Sequence, residues 1–108
     1  MSIHREAKMT EIIQQCAADF ILRQASNQSL ITVTRTELSS DQKTAIIYLS
    51  VIPTTEEQKA LAFAKRERSA FRDYIKAKSA MQHIPTMDFQ LDFGEKNRQR
   101  IDDLTRKN

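Results

Sequence analysis

The sequence predicts an α+β domain of order α-β-β-α-α-β, with a three-stranded sheet and a kinked helix pair. Three observations predict it. Two adjacent runs rich in β-branched residues, ITVTRTEL and TAIIYLSVI, have strand composition. A long Lys/Arg-rich stretch with helical periodicity, LAFAKRERSAFRDYIKAKSAM, follows them. After a Pro-marked turn, MDFQLDF alternates apolar and polar residues, the pattern of a half-buried strand. Helices covering one face of a small sheet and leaving the other polar complete the expected architecture.

In the first element Met9, Ile12, Ile13, Cys16 and Phe20 recur at helical spacing, with Glu11, Gln14, Gln15 and Asp19 between them. This predicts an amphipathic helix from about Ile3 to Arg23, ended by Asn27 and its neighbouring serines. Leu30–Leu38 and Lys43–Ile52 are the two strands, and Ser39-Ser40-Asp41-Gln42 supplies turn formers for an antiparallel hairpin. Ala45, Ile47, Leu49 and Val51 then share one face of the second strand, and Ile46, Tyr48 and Ser50 the other.

Pro53 stops that strand, and Thr54-Thr55-Glu56-Glu57 has the spacing of a capping box. The next helix carries Leu61, Phe63 and Ala64 inward; a third segment carries Phe71, Tyr74 and Ile75. The apolar stripe lapses across Lys65-Arg66-Glu67-Arg68-Ser69, so a kink or break is expected near Ser69. His83-Ile84-Pro85-Thr86 turns the chain into the last strand. There Met87, Phe89, Leu91 and Phe93 are expected to face the core and Asp88, Gln90 and Asp92 to face out, with Gly94 ending the strand. Ile101 and Leu104 suit a short docked C-terminal helix.

At 108 residues, 40% of them apolar, the chain has the size of one domain spanning 1–108, with one modest core. The single cysteine, Cys16, excludes an internal disulfide framework and fits a reducing compartment. The opening MSIHREAKMTEII has no apolar signal-like run, and no stretch reaches the length of a membrane span. A soluble cytoplasmic chain without a membrane partner is expected.

Charge is distributed unevenly. Residues 1–64 hold 6 Lys/Arg and 7 Asp/Glu, and residues 79–108 hold 5 and 5. Residues 65–78 hold 6 and 2, so the whole net charge of +3 originates in one helical stretch. Such a patch fits either a phosphate-backbone contact, which releases condensed counterions, or a solvated helix face.

Catalytic and cofactor chemistry find little support. The only histidines are His4 and His83, and Cys16 lies on the apolar stripe of the first helix, the place of an inert thiol. His83 with Asp88 and Asp92 lacks the spacing of a metal site. With Gly94 as the sole glycine, a Walker loop, a dinucleotide Gly-x-Gly-x-x-Gly and a Gly-x-x-Gly nucleotide clamp are all excluded. No enzyme activity, cofactor, metal or small-molecule substrate is expected. Any nucleic-acid contact must come from helix-borne cations. Arg68, Arg72 and Lys76 fall at i, i+4, i+8, a single stripe; Lys65 and Arg66 precede the suspected break, and Lys78 lies slightly off the stripe. Tyr74 and Tyr48 suit packing better than base stacking.

At this point the sequence resembles a known family, the bacterial ribosome-binding factor A proteins, over nearly the whole chain. The hairpin ITVTRTELSSDQKTAIIYLSV is similar to the family's Val-Thr, Glu-Leu-Ser or Glu-Val-Ser and Ala-x-Val-Tyr-Val-Ser run. Arg72, followed by Ile84-Pro85-Thr86-Met87-Asp88-Phe89, resembles its Leu-Arg and Val-Pro-x-Leu-x-Phe. Asp92 with Arg100-Ile101-Asp102-Asp103-Leu104 resembles its closing motif.

The resemblance implies a KH-like type II domain in which the Gly-x-x-Gly loop is replaced by an interhelical kink, usually Ala-x-Gly. It implies a monomeric, non-catalytic assembly factor that binds rRNA of the small ribosomal subunit during late maturation. Lys65, Arg66, Arg68, Ser69, Arg72, Lys76 and Lys78 would form the contact. The chain departs from the family in placing Glu67-Arg68-Ser69 at the kink, with Ser69 where the family has glycine. Serine costs more than glycine where φ is positive, so a gentler kink or a helical cap geometry is expected. Ala25-Ser26-Asn27-Gln28 also replaces the family's acidic-Pro-Arg signature, and the chain ends without the longer tail of some members. A divergent member is expected. Other readings are a general RNA-binding module of the same fold, or a protein-interaction module using the sheet's open edge.

Overall fold

Helix α1 (Ser2–Gln24) leads into strands β1 (Leu30–Leu38) and β2 (Thr44–Ile52). A 3-10 turn (Thr54–Glu56), helices α2 (Glu57–Arg66) and α3 (Arg68–Lys78), and strand β3 (Thr86–Leu91) complete the order. This computed structural model describes residues 2–24 and 29–94. The expected C-terminal helix at Ile101 and Leu104, and the segment Ala25–Gln28, lie outside them. No helix among the described residues is long and apolar enough to cross a membrane.

The sheet has the order β1-β2-β3, antiparallel between β1 and β2 and parallel between β2 and β3. A parallel return needs a crossover, and α2 with α3 provides it. The central strand alternates as its sequence dictates: Ala45, Ile47 and Leu49 are fully buried and Val51 nearly so. From β3, Met87, Phe89 and Leu91 join the same face. Ile13, Ala17, Phe20 and Ile21 of α1 and Phe71 and Ile75 of α3 close the core above it. Three tilted aromatic contacts tie these layers: Phe20–Phe71 at 5.4 Å, Phe20–Tyr74 at 5.6 Å and Phe71–Phe89 at 5.6 Å between ring centres. Ala60 of α2 lies against Val51 and Leu91, where its small side chain lets the helix come close.

Three expectations need correction. Thr54 does not stand at the N-cap of α2. Extended backbone at Pro53 opens a tighter turn, closed by Glu56 N–H on the Pro53 carbonyl at 3.0 Å, and Glu56 occupies the N-cap without a side-chain cap bond. Phe93 is not a core residue: β3 ends at Leu91, short of Gly94, and Phe93 is half-exposed. Asp92 does not simply face solvent. Its N–H bonds the Leu49 carbonyl at 2.8 Å, and its carboxylate lies close to β1.

That second contact depends on a bulge. The β1–β2 register shifts between Val33 and Arg35, leaving Thr34 without a partner residue on β2. Its hydroxyl lies 2.6 Å from Asp92 Oδ2 and 3.3 Å from the Tyr48 carbonyl, while Arg35 Nε sits 3.6 Å from Asp92 and its guanidinium 4.0 Å from the Tyr48 ring centre. The Thr34 bond, opposed by burial and helped by the Gly94 amide and Arg35, holds the Asp92 carboxyl below its ordinary value. A carboxyl depressed in the native state adds stability above its unfolded value, and that stability is lost as pH falls through the native one.

Thr34→Val should therefore cost about 1.5–3 kcal/mol near neutral pH, the worth of a hydrogen bond to a charged group. Its deficit against the parent in urea melts should shrink as pH is lowered through the carboxylate range; a deficit independent of pH would contradict the Thr34–Asp92 link. Phe71→Ala should cost about 3–5 kcal/mol by the same measurement, because it empties the centre of the ring cluster.

Candidate nucleic-acid interface

The helix pair breaks where one continuous apolar face would have to include charged residues. Helix α2 buries Ala60 and Ala64, and α3 buries Phe71 and Ile75. A continuous helix would carry Glu67 or Arg68 toward the same face between them. The chain leaves helical geometry at Glu67 instead, with φ −93° and ψ 11°. Glu67 N–H is shared between the carbonyls of Phe63 and Ala64, both at 3.1 Å, and its own carbonyl accepts Phe71 N–H at 2.9 Å. The break thus lies at the first residue of the expected Glu67-Arg68-Ser69 kink. Ser69 sits exposed in the first turn of α3. Among the described residues only Gln42, in the hairpin turn, has positive φ, so the break makes no demand for glycine.

Around the break, Arg68 Nε donates to the Lys65 carbonyl at 3.1 Å, a cation at the electronegative end of α2. Lys65 Nζ and Arg68 Nη1 converge on Asp88 Oδ1 of β3, at 2.9 and 3.2 Å. Burial tends to raise the Asp88 carboxyl. The Lys65 hydrogen bond, the Phe89 amide and the charges of Lys65 and Arg68 outweigh it and hold the group below its ordinary value.

Further along α3, Arg72 and Lys76 are exposed and make no ion pair among the described residues; Arg72 Nη1 reaches only the Ile84 carbonyl, at 3.4 Å. Arg68, Ser69 and Arg72 line a groove of about 280 Å³ with Pro85, Thr86 and Met87. Arg66 is exposed at the end of α2. Lys78 does not extend the stripe. It lies about 200° around the helix from Lys76, with Nζ 5.8 Å from the Tyr74 ring centre. Arg23 of α1 approaches the same ring at 5.7 Å. Sequence reading missed Arg23, because only the packing of α1 on α3 brings it there.

The two acids that follow His83 are engaged separately, Asp88 by Lys65 and Arg68 and Asp92 by Thr34 and Arg35. Among the described residues no three groups are placed to hold a metal ion.

A sequence model described as ribosome-binding factor A matches residues 5–105. The chain belongs to that family. It is 29% identical to the ribosome-binding factor A of Thermomicrobium roseum over 99% of this chain and 85% of the relative, and 27% identical to that of Thermobifida fusca over 95% and 70%. The crystal structure of ribosome-binding factor A from Thermus thermophilus superposes with a TM-score of 0.70 at 21% identity, covering 80% of this chain and 94% of that one. A homology model of the Thermus thermophilus protein, fitted into a cryo-EM map of a 30S complex, gives a TM-score of 0.66 at 22% identity, over 83% and 93%. These likenesses establish the KH-like α+β fold of ribosome-binding factor A.

Because the break at Glu67 has negative φ, glycine in its neighbourhood brings no relief. Ser69→Gly should lower stability by about 0.5 kcal/mol, the propensity cost inside a helix. A gain in melting temperature would show instead that the break wants the family's glycine at this position.

Proposed function

We propose that this protein binds the small ribosomal subunit through its rRNA during late maturation, in the cytoplasm, as a single chain and without catalysis. Family membership supports the class of partner, as does the fitting of the Thermus relative into a map of a 30S complex. The observation that carries the reading is the exposed cation stripe of α3, Arg68, Arg72 and Lys76, in a chain whose basic excess is confined to residues 65–78.

Lys65 and Arg66 extend the basic surface across the break, Ser69 adds a hydroxyl to the groove, and Lys78 lies on the Tyr74 flank of the same helix. Side-chain cations contact phosphate oxygens and fix position and register on the RNA. Each phosphate neutralised releases counterions, so the logarithm of the affinity should fall linearly with log salt. An interface made by strand addition at the sheet edge would be far less sensitive to salt.

The paired substitution Arg72→Glu/Lys76→Glu removes the two cations of the stripe that have no acidic partner. It should abolish co-sedimentation with purified bacterial small subunits while leaving the melting temperature close to that of the parent. Undiminished co-sedimentation would sink the reading.

A further inference from the structure

Asp88 Oδ1 accepts three donors at once: Lys65 Nζ at 2.9 Å, Arg68 Nη1 at 3.2 Å and its neighbour Phe89 N–H at 2.9 Å. Two full positive charges, from opposite sides of the helix break, thus meet on one oxygen at the edge of the sheet. A phosphodiester matches this arrangement, since it too is a monoanion whose oxygens accept charge-assisted hydrogen bonds. We propose that Asp88 holds the place of an RNA backbone phosphate: the Lys65–Arg68 pair is a single-phosphate site that the protein's own carboxylate fills, and that RNA takes by displacing it. The proposal deepens the RNA-binding reading and rests on it.

Access favours the exchange. The side chains of Asp88, Lys65 and Arg68 are 32%, 39% and 50% exposed, so solvent and ligand reach all three. The groove lined by Arg68, Ser69, Arg72 and Thr86 adjoins the pair, and Arg72 and Lys76 continue along α3 without an acidic partner. One backbone path therefore passes two cations that meet no competition and two that share one carboxylate. Arg72 and Lys76 contribute their full attraction, while Lys65 and Arg68 contribute only the excess of phosphate over carboxylate. Asp88 sets affinity below what the same cations would give unopposed. It also keeps Lys65 and Arg68 gathered before RNA arrives, so fewer rotamers are lost on binding.

Asp88→Asn removes the charge and keeps an oxygen for Phe89 N–H. Parent and variant are titrated with a short single-stranded RNA homopolymer and with purified bacterial small subunits, over a range of KCl concentrations. D88N should bind the homopolymer about threefold to tenfold more tightly at low salt, the scale of releasing two exposed ion pairs. The gain should shrink as KCl is raised, because salt screens the exposed ion pairs that Asp88 makes in the parent.

Asp88→Glu, which keeps the charge, should stay near the parent. In a Lys65→Gln/Arg68→Gln background D88N should bring no gain. Unchanged or weaker binding by folded D88N overturns the proposal, as does an equal gain without Lys65 and Arg68. Asp88→Ser takes the place of D88N if that variant does not fold; if neither folds, Asp88 is a structural clip and the proposal falls. A parent that binds the homopolymer but not small subunits defeats the functional reading and leaves the Asp88 exchange to be judged on the homopolymer. A parent that binds neither RNA defeats both.

Discussion

Phe71 is fully buried between Phe20 of α1 and Phe89 of β3, and the placement of every cation on α3 follows from it. With Phe71 and Ile75 turned to the sheet, helical periodicity leaves Arg68, Arg72 and Lys76 along one flank. The same rotation sends Lys78 to the other flank, where α1 brings Arg23 beside Tyr74. Helix α2 sets its own phase through Ala60 and Ala64, whose small side chains let it lie close to the sheet. An unbroken helix would keep Ala60, Ala64, Phe71 and Ile75 in one phase, but it would also carry Glu67 onto that buried face, and the chain leaves helical geometry there. The basic surface is thus a by-product of core packing: it has the shape it has because aromatic and alanine faces must both be buried.

The two acids of the last strand region show how one alternating pattern produces different chemistry. Asp88 and Asp92 both belong to the polar side of MDFQLDF. Asp88 lies within β3 at a sheet edge, within reach of cations on both crossover helices. Asp92 lies just past the strand, where the Thr34 bulge brings a hydroxyl from β1 across the central strand. The first tethers the helix break to the sheet, and the second closes the far side of the sheet over β2. Neither acid is spare surface charge, and each answers a cation that would otherwise add to the basic excess.

Local pattern explains why so much of this fold was legible in the sequence. The alternation in TAIIYLSVI placed Ala45, Ile47, Leu49 and Val51 inward, and the stripe Ile13–Phe20 placed α1. Both depend only on backbone periodicity and burial. What escaped depends on contacts distant in sequence. Within the expected Glu67-Arg68-Ser69 kink, no local residue announces that helical geometry lapses at Glu67 alone. Phe93 continues the alternation of MDFQLDF, but β3 ends at Leu91 although β2 runs on to Ile52. The Lys65–Asp88 pair spans 23 residues and the Thr34–Asp92 pair 58, so their side chains are only a basic run and a set of outward acids until the sheet is assembled.

A crossover without glycine also constrains the kind of recognition this surface can perform. A glycine-rich loop offers backbone N–H groups at close range and clamps nucleotides with little dependence on side-chain order. Here the donors stand at the ends of long side chains, so their geometry must be imposed from outside the loop. Arg68 is held by the Lys65 carbonyl and Asp88, and Lys65 by Asp88, so α2, α3 and β3 all meet at one carboxylate. That convergence supplies the order a backbone cradle would otherwise provide, at the cost of offsetting one of the two positive charges it arranges. Phosphate contacts of this kind carry no base identity. In the proposed binding mode, selectivity for an RNA resides in whether its backbone can follow two helix segments whose relation is fixed by the break at Glu67 and the tether at Asp88. Shape, set by the core through Phe71 and Ala64, is what such a surface can read.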